Sequence, residues 1–247
     1  HVTSQQSLAG LTVTRPAGVV LFSATATSTE LTGKNDLFFR VIGDNAHDSR
    51  ALAGYILKDL GIQKVAVVYD EDNASYSRTF VDSFESAFTQ QGGVITTIVD
   101  FSNTEQPDFT PILKQVRASN PQGLVLVASA ANTAFLVQKA RLLEWDIPIF
   151  SSTWAFSETF LQNGGLAIEG VEMVTPYDVS NYSTAMEQFR QKYKDAFGTE
   201  PNFGAAQGYE AAMVLVEAIK RSGSNMNNLP DALRSIQGFD GLSGTIS

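Results

Sequence analysis

Short apolar runs alternate along the chain with longer stretches whose apolar residues recur every third or fourth position. Val19 to Phe22 is a continuous apolar run, the pattern of a buried strand in a parallel sheet. It gives way at once to Ser23-Ala-Thr-Ala-Thr-Ser-Thr-Glu-Leu-Thr32, a loop of small hydroxylated residues. Phe38 to Ile42 predicts a second strand. Asn45 or Asp48 can cap a helix running to Leu60, with Leu52, Tyr55, Ile56 and Leu60 on one face and Gly61 as its stop. Val65 to Tyr69 reads as a strand and Ser75 to Gln90 as a helix striped by Phe80, Val81, Phe84 and Phe88. Val94 to Val99, Leu124 to Val127, Ile147 to Phe150 and Val171 to Val174 follow as strands. Between them lie helices over Asp108 to Ala118 and Asn132 to Glu144, and a short helix or turn over Phe156 to Gln162. This alternation predicts an α/β fold with a doubly wound parallel sheet and helices on both faces.

After Pro176 the pattern changes to three helical segments, Ser183 to Phe197, Phe203 to Arg221 and Leu229 to Ile236, with no strong strand between them. Met186, Phe189, Tyr193 and Phe197 on the first, and Tyr209, Met213, Val216 and Ile219 on the second, are expected to face a core. Three consecutive helices do not extend the sheet before them. They are expected to cover the sheet begun by Val19 to Phe22. Two lobes follow, residues 1–43 with 178–247 and residues 44–177, the chain crossing near Gly43-Asp44 and Tyr177-Asp178. The first lobe reads as incomplete: its sheet has few strands, and the sequence ends just as one starts after Phe239. Uncovered apolar faces there lead to an expectation of self-association.

The totals narrow the function. A chain of 247 residues with a net charge of −9 lacks the basic face of a nucleic-acid binder, and no apolar run reaches membrane-spanning length. With no cysteine, disulfides, cysteine nucleophiles and zinc–thiolate sites are excluded. His1 and His47 are the two histidines, too few and too badly placed for a metal site. There is no Gly-x-Ser-x-Gly elbow and no phosphate or dinucleotide loop after a strand, so neither enzyme nor cofactor chemistry has a motif to rest on. What remains is the hydroxyl-rich loop at the carboxyl end of a strand, the edge where open α/β sheets bind ligands. Hydroxyls and backbone N–H groups there can hold a carboxylate without a fixed positive charge. Asp70, Glu71 and Asp72 lie at the same kind of edge, either as counter-charge for an ammonium or as acids favoured by a helix N-terminus. Trp154, flanked by Ser151-Ser-Thr153, either stacks on a ligand or plugs the wall.

Several stretches carry a resemblance: Val2-Thr-Ser4-Gln-Gln-Ser7, Ser23-Ala-Thr-Ala-Thr27 on to Thr32, Phe38-Phe-Arg40, and Val67-Val-Tyr-Asp70 with Tyr76. Pro176-Tyr-Asp178, Tyr209-Glu-Ala-Ala212 and Phe239-Asp-Gly-Leu-Ser-Gly-Thr-Ile246 continue it. In this order the chain resembles the type I periplasmic solute-binding proteins, in their branched-chain amino acid branch. The resemblance implies two α/β lobes with a small-molecule ligand in the cleft between them, no catalysis, no cofactor, and a membrane permease of an ABC importer as partner. It implies a periplasmic or extracellular location, with a lipid anchor as one means of retention. A ligand-sensing module of a signalling protein would share the fold. By the same resemblance Ser4 and Thr27 bind a ligand carboxylate, the Thr25 carbonyl meets an ammonium, and Tyr76 closes the pocket from the second lobe; Thr153 and Trp154, read from the residues at their strand end, are added as expected ligand contacts. One position departs from the family. The branched-chain binders place an ammonium-pairing glutamate after the strand at Ile147 to Phe150, where this chain reads Ser151-Ser-Thr-Trp154. That loss bears against an α-amino acid ligand, since a buried ammonium needs a counter-charge. Val127-Ala-Ser-Ala-Ala131 also lacks an aromatic residue that some relatives have there, which would enlarge the pocket.

Overall fold

The computed structural model describes residues 2–102, 108–176, 178, 180, 183–242 and 244–246. His1, Ser243, Ser247 and Tyr177, at which a crossover and lobe boundary were expected, lie outside the described residues. The chain forms two compact units: residues 1–27, 31–43 and 177–247 in the first, and 28–30 and 44–176 in the second.

The first unit opens with helix α1 (Ser4–Thr14). Thr3 starts it with a reciprocal capping box, its hydroxyl accepting from the Gln6 N–H while the Gln6 side chain accepts from the Thr3 N–H. Strands β1 (Leu21–Ser23) and β2 (Phe38–Arg40) pair in parallel, Leu21 opposite Phe38. Leu21, Ala26, Leu31 and Phe38 pack with Leu11 of α1 in a small core. The strand begins later than its apolar run implies: Val19 is 52% exposed.

The second unit is a five-stranded parallel sheet. Helix α2 (Asn45–Gly54) is capped by Asp44, not by either residue the sequence offered, because the Asp44 carboxylate accepts from the Ala46 N–H. A π-helical turn carries the chain on to Asp59. Strand β3 (Lys64–Asp70) leads to α3 (Ala74–Gln90), β4 (Val94–Phe101), α4 (Thr110–Ala118), β5 (Gly123–Val127), α5 (Ala130–Leu142), β6 (Ile149–Ser151), α6 (Glu158–Gly164) and β7 (Glu172–Met173). The order across the sheet is β4-β3-β5-β6-β7. Alternation along the strands splits the core in two. Val65, Val67, Val125, Val127 and Phe150 meet Leu52 and Ile56 with Phe80, Phe84 and Phe88 of α3. Ala66, Val68, Leu124 and Leu126 point to the other face and meet Leu113, Val116, Leu136, Val137 and Phe160. Parallel strands buried on both faces read as unbroken apolar runs, which is why β3 and β5 were visible in the sequence.

The chain then returns to the first unit. Helix α7 (Thr184–Phe197) ends at Gly198, whose φ of 72° takes the left-handed cap conformation. Helices α8 (Phe203–Ser222) and α9 (Leu229–Arg234) precede a hairpin of β8 (Phe239–Asp240) and β9 (Thr245–Ile246). Val214, Ala218, Ala232, Leu233 and Ile236 pack with Val20, Phe22, Phe39 and Val41, so α8 and α9 cover the β1–β2 sheet. Two stripes differ from expectation. Phe197 is exposed, and on α8 Val216 and Ile219 face outward, while Tyr209, partly exposed, packs its ring on Phe189 of α7 at 4.8 Å. The buried face of α8 combines the small residues Ala206, Ala211, Val214, Ala218 and Ser222 with the polar Gln207 and Glu210, the latter accepting from the Leu242 N–H.

Candidate functional site

In the first unit the candidate groups sit where α1 begins and where β1 ends. Ser4 is the first residue of α1 and is buried. In the loop after β1, the Ser23 hydroxyl accepts from the N–H groups of Thr25 and Ala26, folding the chain back on the strand end. The Thr25 hydroxyl donates to the Val2 carbonyl at 2.8 Å. That bond ties the loop to the residues just before α1; Ser4 and Thr27 each lie two residues along the chain from it. Arg40 of β2 holds the loop's other side, donating to the Ala26 carbonyl at 3.2 Å and to the Thr32 hydroxyl at 2.5 Å. Thr27 is buried, and its hydroxyl makes no hydrogen bond among the described residues. The site therefore combines hydroxyls with a helix N-terminus, where the backbone dipole favours an anion.

In the second unit the candidates cluster at the carboxyl ends of the strands. Tyr76 lies in the first turn of α3 and is buried. Its ring meets Trp154 edge-to-face, centroids 5.6 Å apart at 71°, and Phe80 at 6.1 Å. Burial pushes the Tyr76 phenol well above its usual pKa, while the Ser152 hydroxyl and the Trp154 backbone N–H partly oppose the shift. Ser152 is fully buried and its hydroxyl, beside that phenol, has no hydrogen bond of good geometry. Tyr76 is thus a support for Trp154 more than a free hydroxyl. Thr153, in the 3-10 turn after β6, donates its hydroxyl proton to the Val174 carbonyl at 2.9 Å, and the same oxygen lies 3.4 Å from Asp48 Oδ2 as a long, secondary contact. The sequence offered Asp48 only as a helix cap; the structure sets it against Thr153.

The acids after β3 have structural partners. Asp70 is buried, its carboxylate accepting from the Asp72 N–H at 2.9 Å and from Asn132 Nδ2 at 2.8 Å, which pins the end of β3 to α5. Burial raises its pKa and these donors partly restore it. Glu71 takes a two-pronged bond from Arg78, which lowers its pKa. His47 is exposed. Among the described residues there is no cluster of three potential metal ligands, and no helix is long and apolar enough to cross a membrane.

With this geometry in view, comparison with known proteins is specific. The family model for periplasmic binding proteins matches residues 2–247. The chain is similar to the Leu/Ile/Val-binding protein homolog 3 of Brucella melitensis, 21% identical over 208 residues covering 84% of this chain and 55% of that protein. It spans about half the length of the curated relatives it matches. Among solved structures it resembles the leucine-binding protein LivK of Thermotoga maritima, with a TM-score of 0.92, 28% identity and coverage of 99% of this chain and 70% of that one. It also resembles LivJ of Streptococcus pneumoniae, a branched-chain amino acid transporter substrate-binding protein in complex with isoleucine. There the TM-score is 0.89 and the identity 21%, over 99% of this chain and 69% of that one. The chain belongs to the type I periplasmic binding protein family.

Proposed function

We propose that this chain is the ligand-binding part of an extracytoplasmic solute receptor for an ABC importer, taking a small amino acid or a related carboxylate. The observation that carries the reading is the bond from Thr25 to Val2, which holds the hydroxyl loop against the residues leading into α1. Ser4 and Thr27 grip the ligand carboxylate. The Thr25 hydroxyl is committed to the Val2 carbonyl, which leaves the Thr25 backbone carbonyl for an ammonium. Trp154, steadied by Tyr76, offers an aromatic face to the rest of the ligand, and Thr153 contributes a hydroxyl beside it. A membrane permease receives the loaded receptor. The names of the relatives support a leucine-, isoleucine- or valine-sized solute.

Titration calorimetry with leucine, isoleucine, valine and their amides tests the assignment. A hydrogen bond to a charged acceptor contributes roughly 1.5–3 kcal/mol. Thr27→Ala is therefore expected to weaken acid binding about ten- to a hundred-fold, while binding to the amide changes less. Equal affinity of the variant and the parent for the acid would remove Thr27 from the site.

A further inference from the structure

Asp48 stands in surroundings suited to a cation. It lies one turn into α2 and is half-buried. It forms no ion pair among the described residues. The Thr153 hydroxyl lies 3.4 Å from its Oδ2, but the one proton of that hydroxyl goes to the Val174 carbonyl at 2.9 Å, so the carboxylate keeps acceptor capacity. The other charged or titratable groups near it are Asp44 and His47 on its own helix and the neutral phenol of Tyr76 on α3. Burial raises the Asp48 pKa, and the neighbouring His47 and the Thr153 hydroxyl only partly oppose it.

The position is fixed rather than incidental. Asn45, one turn before Asp48, donates from Nδ2 to the Tyr76 carbonyl at 2.9 Å and to the Thr79 hydroxyl at 3.0 Å. Those bonds lock the start of α2 to the start of α3. A first-turn acid that merely favoured the helix dipole would point into water. Asp48 instead turns to a residue 105 positions away, next in sequence to Trp154, whose ring packs on Tyr76. A half-buried carboxylate beside the Tyr76 phenol, with no ion pair among the described residues, suits an alkylammonium ion, to which it supplies the opposite charge and a strong hydrogen-bond acceptor.

We propose that Asp48 binds the ammonium group of the solute, with Thr153 as its positioning residue, and so selects amino acids over plain carboxylic acids. The proposal rests on the receptor reading above. It assigns the missing counter-charge to a different element from the loop after β6.

The test is titration calorimetry of the parent chain, Asp48→Asn and Asp48→Glu with leucine, phenylalanine and their amine-free counterparts, 4-methylpentanoate and 3-phenylpropanoate. The parent is expected to prefer an amino acid over its amine-free counterpart by tenfold or more. Asp48→Asn is expected to lose that preference and Asp48→Glu to keep part of it. A parent that binds both kinds of ligand equally, or an Asp48→Asn variant that keeps the parent's preference, overturns the proposal and leaves the receptor reading standing. A parent that binds none of the four overturns both. The comparison within the parent needs no variant, so it holds even where a substitution impairs folding.

Discussion

A carboxylate kept half-buried for a ligand burdens the empty protein. Burial raises the pKa of Asp48 above its ordinary 3.8; His47 opposes the shift and Asp44 adds to it. The folded chain therefore holds this proton more tightly than the unfolded chain. The stability linked to it is fully present below pH 3.8 and is lost as pH rises through the folded pKa. Unliganded Asp48→Asn is expected to be more stable than the parent at pH 7, with the difference gone by about pH 3.8. Urea denaturation at the two pH values reads this directly, and an unchanged midpoint at pH 7 would mean a well-solvated carboxylate. The contrast with Thr27 explains what the sequence could reveal of the site. The hydroxyl loop is local, compressed into ten residues directly after an apolar run. Asp48 acquires its meaning from Thr153, far away in the chain, and by itself it reads as one more polar residue at a helix start.

At the level of elements, the burial pattern separates what is robust from what is delicate. Phe84 is fully buried and stacks on Phe88, centroids 5.4 Å apart at 15°. Phe84→Ala is expected to cost about 3–5 kcal/mol, read as a lower urea midpoint. Helix α1 has the opposite character. It buries only Ser4, Ser7 and Leu11, so its capping box matters more than its packing. Thr3→Ala should cost about 0.5–2 kcal/mol and weaken solute binding with it, since Ser4 follows directly; calorimetry and thermal melts on one sample check both. The same distinction governs legibility. α3 was clear because its buried face is made of large aromatics at helical spacing. The inner face of α8 is hard to see in the sequence because it is built of alanine and valine together with the buried polar Gln207 and Glu210, while Val216 and Ile219 point outward. Hydrophobic spacing finds bulky stripes; it overlooks faces built of small and polar residues. The late start of β1 has a different cause, since the apolar run begins at Val19, two residues before strand pairing does at Leu21.

Across the whole molecule the two units differ in how they are secured. The second has a five-stranded sheet with a core on each face. The first has a two-stranded parallel sheet and a two-stranded hairpin. Small sheets open at lower free energy than large ones covered on both sides. Amide hydrogens of Leu21–Ser23 and Phe38–Arg40 are therefore expected to exchange well before those of Val65–Val68 and Leu124–Val127. Equal protection in both sets would show a single cooperative unit. The segment order has a further consequence, for the growing chain on the ribosome. Residues 44–176 leave almost as one uninterrupted stretch and can complete their sheet at once, whereas β1 and β2 wait for covers on α8 and α9 that are made only after the whole second unit. At about 5–20 residues per second, roughly two hundred residues take about 10–40 s to make. For that interval Phe22 and Phe39 have no native partner on α8 or α9, and this is when the nascent chain most needs a chaperone.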